Sequence, residues 1–400
     1  MRLLILDESW EVMGGVDTFR RSLLPAVAGL AETVIWACQV QHTRSQLGDL
    51  QLGNVELAEL HPPTRSLRGI ARAGLRRLPE KIAPWRNRAL RAMSQSYLRE
   101  LCRRHRLTHV FEICVHRQPF PHLGLPTAGY VHDLAYPNRG SSPLDEIFRD
   151  WLRHAARLYT NSTQTRAELL ELVPAAVPRI EVVLLASPPV QAPPAGAVNP
   201  WARSAPVLYY PAGATWHKGH DILLGALAKL AADNVPFHCY LSGYGTNWLF
   251  DDQPTPEENT NGARLNCRKF RDALRGRVTL LGRQPWEALE QLYQAANFVV
   301  LPTRFEGFGL PLSEALRRGK PVIASRLAPM EEQVAFYGAE EQVRWVPPGD
   351  EPALTGMLAK ILAGTDHFPE FSPALRQRIA DWNWEAIARK IISSLAATAS

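Results

Sequence analysis

Short apolar segments that alternate with helical segments constrain the fold of this chain most. Between residues 277 and 325, the segments RVTLLG, FVVLP and PVIAS are separated by helical patterns at 285–296 and 311–318. Strands that are apolar throughout are buried on both faces, which is typical of a parallel sheet covered by helices. This stretch therefore predicts an α/β domain built on a parallel sheet.

The same alternation recurs along most of the chain. Further strands are predicted at 2–6, 33–38, 109–115, 127–134, 156–162, 180–187, 207–213, 237–243 and 343–349. Further helices are predicted at 16–31, 163–172, 219–232 and 381–395, with Ser162 or Thr163 as the cap of the second. In open α/β sheets, ligands bind beyond the carboxyl ends of the strands, so those loops are the candidate functional regions.

The length of 400 residues exceeds one comfortable core, and a proline-rich break divides the chain. We expect a first domain at 1–190, a linker at 191–206 and a second domain at 207–375. Residues 376–400 are expected to form a C-terminal helix that packs back toward the first domain. Two Rossmann-like domains would then present their parallel sheets to a central cleft.

The composition is that of a soluble globular protein, with 46% hydrophobic and 21% charged residues. Five cysteines, an odd number without a C-x-x-C pair, indicate reduced thiols in a cytoplasmic protein and disfavour a zinc site. The N-terminal MRLLILDESW is too short an apolar run for a signal peptide and is expected to be a buried strand.

The stretch RFEGFGLPLSEALRRGKPVIAS, residues 304–325, concentrates chemistry just after the apolar run at 298–301. Its two glutamates, Glu306 and Glu314, flank a G-F-G-L-P loop in which Phe308 is expected to be exposed. The glycines let the backbone approach a ligand, and the following helix start attracts an anion. Glu314 is expected in the first helical turn. Carboxylates also accept hydrogen bonds from sugar hydroxyls, so the pattern predicts a ligand with both phosphate and hydroxyl groups.

This stretch is also the basis of a family resemblance. The segment LGRQPWEALEQLYQAANFVVLPTRFEGFGLPLSEALRRGKPVIAS resembles the retaining glycosyltransferases of family 4, which have the GT-B fold and an E-x7-E signature. PAGATWHKGHDILLGAL resembles the phosphate-binding loop of that family and the helix after it. YVHDL and MGGVDTF are similar to the N-domain strand that carries a histidine and to the glycine-pair loop.

The resemblance implies transfer of a sugar from a nucleotide diphosphate donor, without a cofactor or metal, to an acceptor bound by the N-terminal domain. Glu306 would bind the donor sugar, Glu314 the ribose and Lys218 the leaving diphosphate. The implied catalytic residues are Glu306, His132 and Lys218; the implied donor-binding residues are Gly14, Gly15, Arg283, Gly307, Phe308, Gly309, Leu310 and Glu314. The absence of a D-x-D pair from the sequence agrees with a metal-independent reaction.

The sequence departs from the family pattern in one place. Many members carry an arginine shortly before the lysine, whereas residues 213–217 read GATWH here. The second cation is therefore absent or comes from elsewhere in the sequence. Arg283 is a candidate for it, although a contact with the base fits Arg283 equally well. His132 either contacts the sugar or simply finishes its strand, and the sequence leaves both interpretations open.

A basic segment, residues 65–106, carries twelve Arg and one Lys against two Glu. Arginines interleaved with Leu, Ile and Trp85 are typical of a surface that lies on an anionic membrane. The alternative is a solvated helical face. A nucleic-acid partner is not expected, because no nucleic-acid-binding motif accompanies the charge.

The predicted activity is transfer of a sugar, with mannose from GDP-mannose favoured and UDP- or dTDP-sugars left open, in surface polysaccharide or lipopolysaccharide synthesis. The acceptor is expected to be a saccharide or a lipid-linked saccharide. Two alternatives remain: a non-catalytic nucleotide-sugar-binding protein, and an epimerase or phosphorylase on the same scaffold.

Overall fold

A computed structural model describes residues 1–7, 14–38, 53–63, 66–77, 83–115, 120, 122–134, 143–172, 179–190, 199–251 and 267–398. The chain divides into two compact units, Met1–Leu185 with Trp384–Ser400 and Ala186–Asn383. Residues 191–198 of the predicted linker lie outside the described ranges.

The first unit is built on a parallel sheet. Its described strands are β1 (Arg2–Leu6), β2 (Thr33–Cys38), β3 (Val55–Glu59), β4 (His109–Glu112), β5 (Thr127–Val131), β6 (Arg157–Thr160) and β7 (Ile180–Val182). They pair in the order β3-β2-β1-β4-β5-β6-β7. The described helices between them are α1 (Gly14–Ala28), α2 (Leu67–Arg76), α3 (Ala83–Arg104), α4 (Pro143–His154) and α5 (Thr163–Leu172). The Ser162 hydroxyl oxygen accepts a hydrogen bond from the amide of Thr165, so Ser162 caps α5.

The second unit repeats this plan. Its described strands are β8 (Val207–Pro211), β9 (His238–Ser242), β10 (Val278–Leu280), β11 (Phe298–Leu301), β12 (Val322–Ser325) and β13 (Val343–Val346). They are parallel and run in the order β10-β9-β8-β11-β12-β13. The helices are α6 (His220–Ala232), α7 (Trp286–Ala295), α8 (Leu310–Arg317), α9 (Ala328–Tyr337), α10 (Glu351–Leu362) and α11 (Pro373–Asp381).

The last helix, α12 (Trp384–Ala396), belongs to the first unit. The Trp384 ring lies 5.7 Å from the ring of Phe19 on α1. The Tyr159 hydroxyl donates a 3.1 Å hydrogen bond to the carbonyl of Ile391. These contacts make α12 part of the core of the first unit.

Both sheets have the strand order of a doubly wound Rossmann-like fold. The order reverses beside β1 in the first unit and beside β8 in the second, so the switch points lie between β1 and β4 and between β8 and β11. Strand residues such as Leu4, Val299 and Ile323 are fully buried, as expected for a sheet covered on both faces. The prediction of two Rossmann-like α/β domains is confirmed.

Candidate functional site

Two predicted site residues meet at the switch point of the second unit. Lys218 ends a short 3-10 turn, Trp216–Lys218, in the loop that follows β8. Glu306 lies in the loop that follows the neighbouring strand β11. The Lys218 ammonium Nζ is 2.6 Å from Glu306 Oε1, and the two side chains are only 20% and 13% exposed. An ammonium and a carboxylate are thus brought together where open α/β sheets bind ligands.

The backbone around Lys218 is fixed by close contacts. The Tyr210 hydroxyl at the end of β8 donates a hydrogen bond to the Lys218 carbonyl. The next residue, Gly219, has a φ of +68°, and a Cβ added there would lie 2.2 Å from the carbonyl oxygen of Pro302. Only glycine fits this position, because it accepts the left-handed conformation and leaves room for the loop after β11.

Arg304 holds the two loops together. Its backbone amide donates a 2.7 Å hydrogen bond to the His217 carbonyl. Its guanidinium donates to the Trp216 carbonyl and makes a bidentate pair with Asp221 at 2.9 and 2.7 Å. The guanidinium also lies 5.1 Å from the centre of the Trp216 ring. Fork-shaped pairs of this kind fix geometry as well as charge, so Arg304 fixes the Lys218 loop against the Glu306 loop.

His217 does not supply the second cation that the sequence lacks. Burial, assisted by the neighbouring charge of Lys218, lowers the pKa of His217 to about 4. The imidazole is therefore neutral near pH 7, with Nδ1 3.1 Å from the Thr215 hydroxyl. Lys218 is the cation in this turn.

The loop before α8 differs from the sequence-based expectation at one residue. Gly309 caps α8 with a φ of +87°, and Pro311 occupies the first helical turn as predicted. Phe308, predicted to be exposed, is buried with 4% of its surface accessible. Its carbonyl accepts a hydrogen bond from the Gln333 side chain. That prediction is wrong because the loop folds the Phe308 ring inward. The backbone of the loop, and not the ring, is therefore available to a ligand.

Glu314 lies one turn later than expected. Because α8 begins at Leu310, Glu314 is in its second turn and not in the first. Its Oε2 accepts a 2.7 Å hydrogen bond from the Tyr293 hydroxyl on α7. Burial raises the pKa of the Glu314 carboxyl, although Arg318 and the Tyr293 hydrogen bond lower it.

Arg283 follows β10 in the same unit. Its guanidinium lies 4.9 Å from the centre of the Tyr244 ring, in the turn after β9. The two turns are joined by a 2.8 Å hydrogen bond from the Gly243 amide to the Gly282 carbonyl. Arg283 therefore lies on an aromatic ring at the carboxyl edge of the sheet, and its contact with a diphosphate or a base stays a prediction.

The remaining predicted residues belong to the first unit. His132 follows β5, and its Nε2 is 3.2 Å from the Ile113 carbonyl oxygen. Its ring packs between Phe19 and Tyr130, with both centroids 4.7 Å away. Gly14 and Gly15 begin α1, which follows β1 in sequence. The sugar contact of His132 and the donor contacts of the glycine pair stay predictions.

Sequence reasoning missed four residues that support the site. They are Tyr210, Tyr293, Arg304 and Arg318. Arg304 is adjacent to the motif and was the easiest to suspect, whereas the two tyrosines resemble ordinary core residues in the sequence. No group of three or more His, Cys, Asp or Glu side chains within the described ranges is arranged to hold a metal ion. Metal independence stays a prediction.

Comparison with known proteins matches this unit to a family. Residues 197–378 match the model of the family described as glycosyl transferases group 1. An MMP alpha-(1->4)-mannosyltransferase of Mycolicibacterium hassiacum is 31% identical over 108 residues, which cover 27% of this chain and 26% of the relative. An O-antigen chain mannosyltransferase B of Escherichia coli is 41% identical over 120 residues, or 30% of each chain. The matches thus span less than a third of these curated relatives.

The fold comparison extends over the whole chain. A crystal structure of HepE from Anabaena in complex with UDP superposes with a TM-score of 0.66 at 15% identity, covering 99% of this chain and 100% of that one. At this identity the comparison establishes the GT-B fold. The chain thus has the GT-B fold, and its residues 197–378 are similar to the glycosyl transferases group 1 family.

Proposed function

We propose that this protein is a retaining glycosyltransferase that moves a sugar from a nucleotide diphosphate donor to a saccharide or lipid-linked saccharide acceptor. Mannose is the favoured sugar, GDP-mannose the favoured donor, and UDP- or dTDP-sugars are the other candidates. Surface polysaccharide or lipopolysaccharide synthesis on the cytoplasmic side is the favoured setting. No resident cofactor is part of the proposal.

The observation that carries the proposal is the ion pair between Lys218 and Glu306, 2.6 Å apart at the switch point of the second unit. A donor has an anionic half and a hydroxylated half joined by one glycosidic bond. In the proposal, Lys218 binds the diphosphate and Glu306 accepts hydrogen bonds from the sugar hydroxyls. The 2.6 Å contact between the two residues supports this assignment, because the two halves of the donor meet at the bond that breaks.

The proposed reaction needs no protein base. The bond between the anomeric carbon and the diphosphate oxygen breaks, and the acceptor oxygen bonds to that carbon from the same face. The acceptor proton passes to the leaving phosphate oxygen. Negative charge grows on this oxygen as the bond breaks, so the Lys218 ammonium stabilises the transition state more than the bound donor.

The preference for mannose is supported by two relatives, both of which are mannosyltransferases. The solved complex of HepE with UDP supports a nucleoside diphosphate as the ligand of the shared fold.

The test is a donor-hydrolysis screen. The purified chain is incubated with GDP-mannose, UDP-glucose and a dTDP-sugar, each with and without EDTA, and free nucleoside diphosphate is measured by mass spectrometry. We expect one donor to be hydrolysed slowly, at the same rate with and without EDTA. A thermal shift without hydrolysis would favour a non-catalytic binder, and sugar 1-phosphate formed only with added phosphate would favour a phosphorylase.

Matched lysine variants make the test specific. Lys218→Met should lower donor turnover by about 100-fold or more, as expected on removal of one charge-stabilising group. Lys229→Met is the control, because Lys229 also pairs with a glutamate, Glu351, at 2.9 Å, but on the surface of α6. Equal donor turnover by Lys218→Met and Lys229→Met would overturn the role of Lys218.

A membrane contact through the basic segment is the proposed second partner. On α2, Leu67 and Ile70 are 87% and 60% exposed and lie one turn apart. Arg68 and Arg76 are exposed on the same helix, whereas Arg72 is buried against the Leu90 carbonyl. An exposed apolar stripe flanked by arginines is suited to the surface of an anionic bilayer. No helix in the described part of the chain is long and apolar enough to cross a membrane.

Vesicle sedimentation tests this contact. The protein should bind vesicles that contain phosphatidylglycerol, more weakly at high salt, and should not bind vesicles of phosphatidylcholine alone. The double variant Leu67→Ser/Ile70→Ser should reduce binding at least tenfold. Leu30→Ser is the control, because Leu30 is also exposed, at 40%, but lies after α1. Unchanged binding of the double variant would contradict the proposal.

A further inference from the structure

Glu314 is held by a buried phenol. The Tyr293 hydroxyl donates to Oε2 at 2.7 Å, and the Tyr293 ring is 2% exposed. That ring meets Tyr209 edge-on at 5.0 Å, so it is fixed on a second side. Among the residues that the structure describes, no donor binds the other carboxylate oxygen, Oε1. Tyr293 therefore fixes one oxygen of Glu314 and leaves the other for a ligand.

Arg318 fixes the backbone of the same residue. Its Nη1 donates a 3.0 Å hydrogen bond to the Glu314 carbonyl. Its Nε and Nη2 donate to Glu290 Oε2 at 2.9 and 2.7 Å. The side chains of Arg318 and Glu290 are 3% and 4% exposed. The guanidinium also lies 4.7 Å from the centre of the Tyr293 ring. A buried cation thus holds the backbone of Glu314, and a buried phenol holds one of its carboxylate oxygens.

A network of this kind is costly to build for structure alone. A buried ion pair loses much of its attraction to desolvation and is weak evidence for added stability. The Glu290 oxygen Oε1 is buried without a hydrogen-bond partner among the described residues, which adds to that cost. What the network supplies is a fixed position and a compensating positive charge for a third group, the Glu314 carboxylate.

We propose that Tyr293 and Arg318 are positioning residues that hold the Glu314 carboxylate in one orientation for the ribose hydroxyls of the donor nucleotide. This inference rests on the proposed function, because it assigns the ribose to Glu314. The two residues act through Glu314, so their effect is confined to ligands that carry ribose hydroxyls. Their removal leaves the diphosphate contacts of Lys218 in place.

The test compares ribose with dideoxyribose. Binding of UDP and GDP, and of their 2′,3′-dideoxy forms, is measured by calorimetry for the native chain and for Tyr293→Phe. This variant keeps the buried ring and removes the hydroxyl. We expect it to weaken the ribonucleotide about tenfold, typical of a lost hydrogen bond to a charged group. The dideoxy form should bind both proteins equally.

Tyr209→Phe is the matched control. Tyr209 is an equally buried tyrosine that packs on Tyr293, but its hydroxyl is bonded to Ser242 at 2.7 Å. Its removal should leave the preference for ribose unchanged. Arg318→Lys keeps the charge and loses the bidentate geometry, so it should reduce the ribose preference partly.

The pH dependence separates a positioning role from a packing role. The Tyr293 hydrogen bond lowers the pKa of the Glu314 carboxyl, so its loss raises that pKa. As the pH is lowered, Glu314 should therefore become protonated earlier in Tyr293→Phe, and ribonucleotide binding by this variant should weaken at a higher pH than in the native chain. Equal weakening of the ribo and dideoxy forms would overturn the inference while the proposed function stands. Failure of the native chain to bind either nucleotide would overturn both.

Discussion

Gly219 is one point at which the Lys218 loop touches the loop of Glu306, and Gly219→Ala tests that contact. Alanine at a φ of +68° costs roughly 1–2 kcal/mol in backbone strain. The added Cβ would lie 2.2 Å from the Pro302 carbonyl oxygen, so the two loops must separate by about 1 Å. Overpacking of this kind adds about 1–3 kcal/mol.

The separation of the two loops should also lower the rate of donor turnover. Lys218 immediately precedes Gly219, so its ammonium moves away from the Glu306 carboxylate, which lies 2.6 Å away in the native chain. A misplacement of about 1 Å in a site can cost about 100-fold in rate. We therefore expect Gly219→Ala to lower the free energy of unfolding in urea by about 2–5 kcal/mol. Donor turnover should fall by about two orders of magnitude.

The control separates the clash from the strain. Gly276 also has a positive φ, +75°, but a Cβ there would meet no heavy atom within 4 Å. In Gly276→Ala the free energy of unfolding should therefore fall only by the backbone strain, roughly 1–2 kcal/mol, and donor turnover should be unchanged. The reasoning is refuted if the two variants lose the same stability, or if Gly219→Ala retains native turnover.

Three further predictions concern the same unit. Burial lowers the pKa of His220 to about 3 from 6.5, so the folded unit excludes a proton that the unfolded chain binds. Its stability should fall as the pH drops from 6.5 toward 3, by about 1.4 kcal/mol per pH unit from this group, and His220→Gln should flatten the slope in urea titrations. Glu306→Gln frees Lys218 from its ion pair, so calorimetry should detect tighter binding of UDP or GDP, while turnover assays detect a loss of transfer. Arg304→Lys breaks the bidentate pair with Asp221, so the KM for the donor should rise about tenfold. The double variant Arg304→Lys/Asp221→Asn should raise the KM little further, because the two residues belong to one contact.

The sheets were predictable because their central strands are uniformly apolar. FVVL at Phe298–Leu301 and VIAS at Val322–Ser325 have every residue buried, which is the pattern that the sequence displays. The edge strand Val55–Glu59 was missed because it has two glutamates in five residues, and its side chains are exposed or half-buried. An edge strand lacks the apolar signal of a central one.

The site was predictable where a motif names its residues, and unpredictable where distant residues support them. The motif pointed to Lys218 and Glu306, which the fold brings into contact although 88 residues separate them. The bond between Arg304 and Asp221 spans 83 residues and has no local signal. Phe308 was misjudged because a ring between two glycines resembles a loop tip in sequence, and only the packing of the loop buries it.

The position of α12 has a consequence for the order in which the protein is completed during synthesis. Residues up to Leu185 leave the ribosome first, but the helix that packs on Phe19 begins at Trp384, about 200 residues later. At translation speeds of about 5–20 residues per second, that interval is roughly 10–40 s. Throughout it the nascent first unit has an uncovered apolar face. The contiguous second unit, Ala186–Asn383, closes its core before the unit that was translated ahead of it.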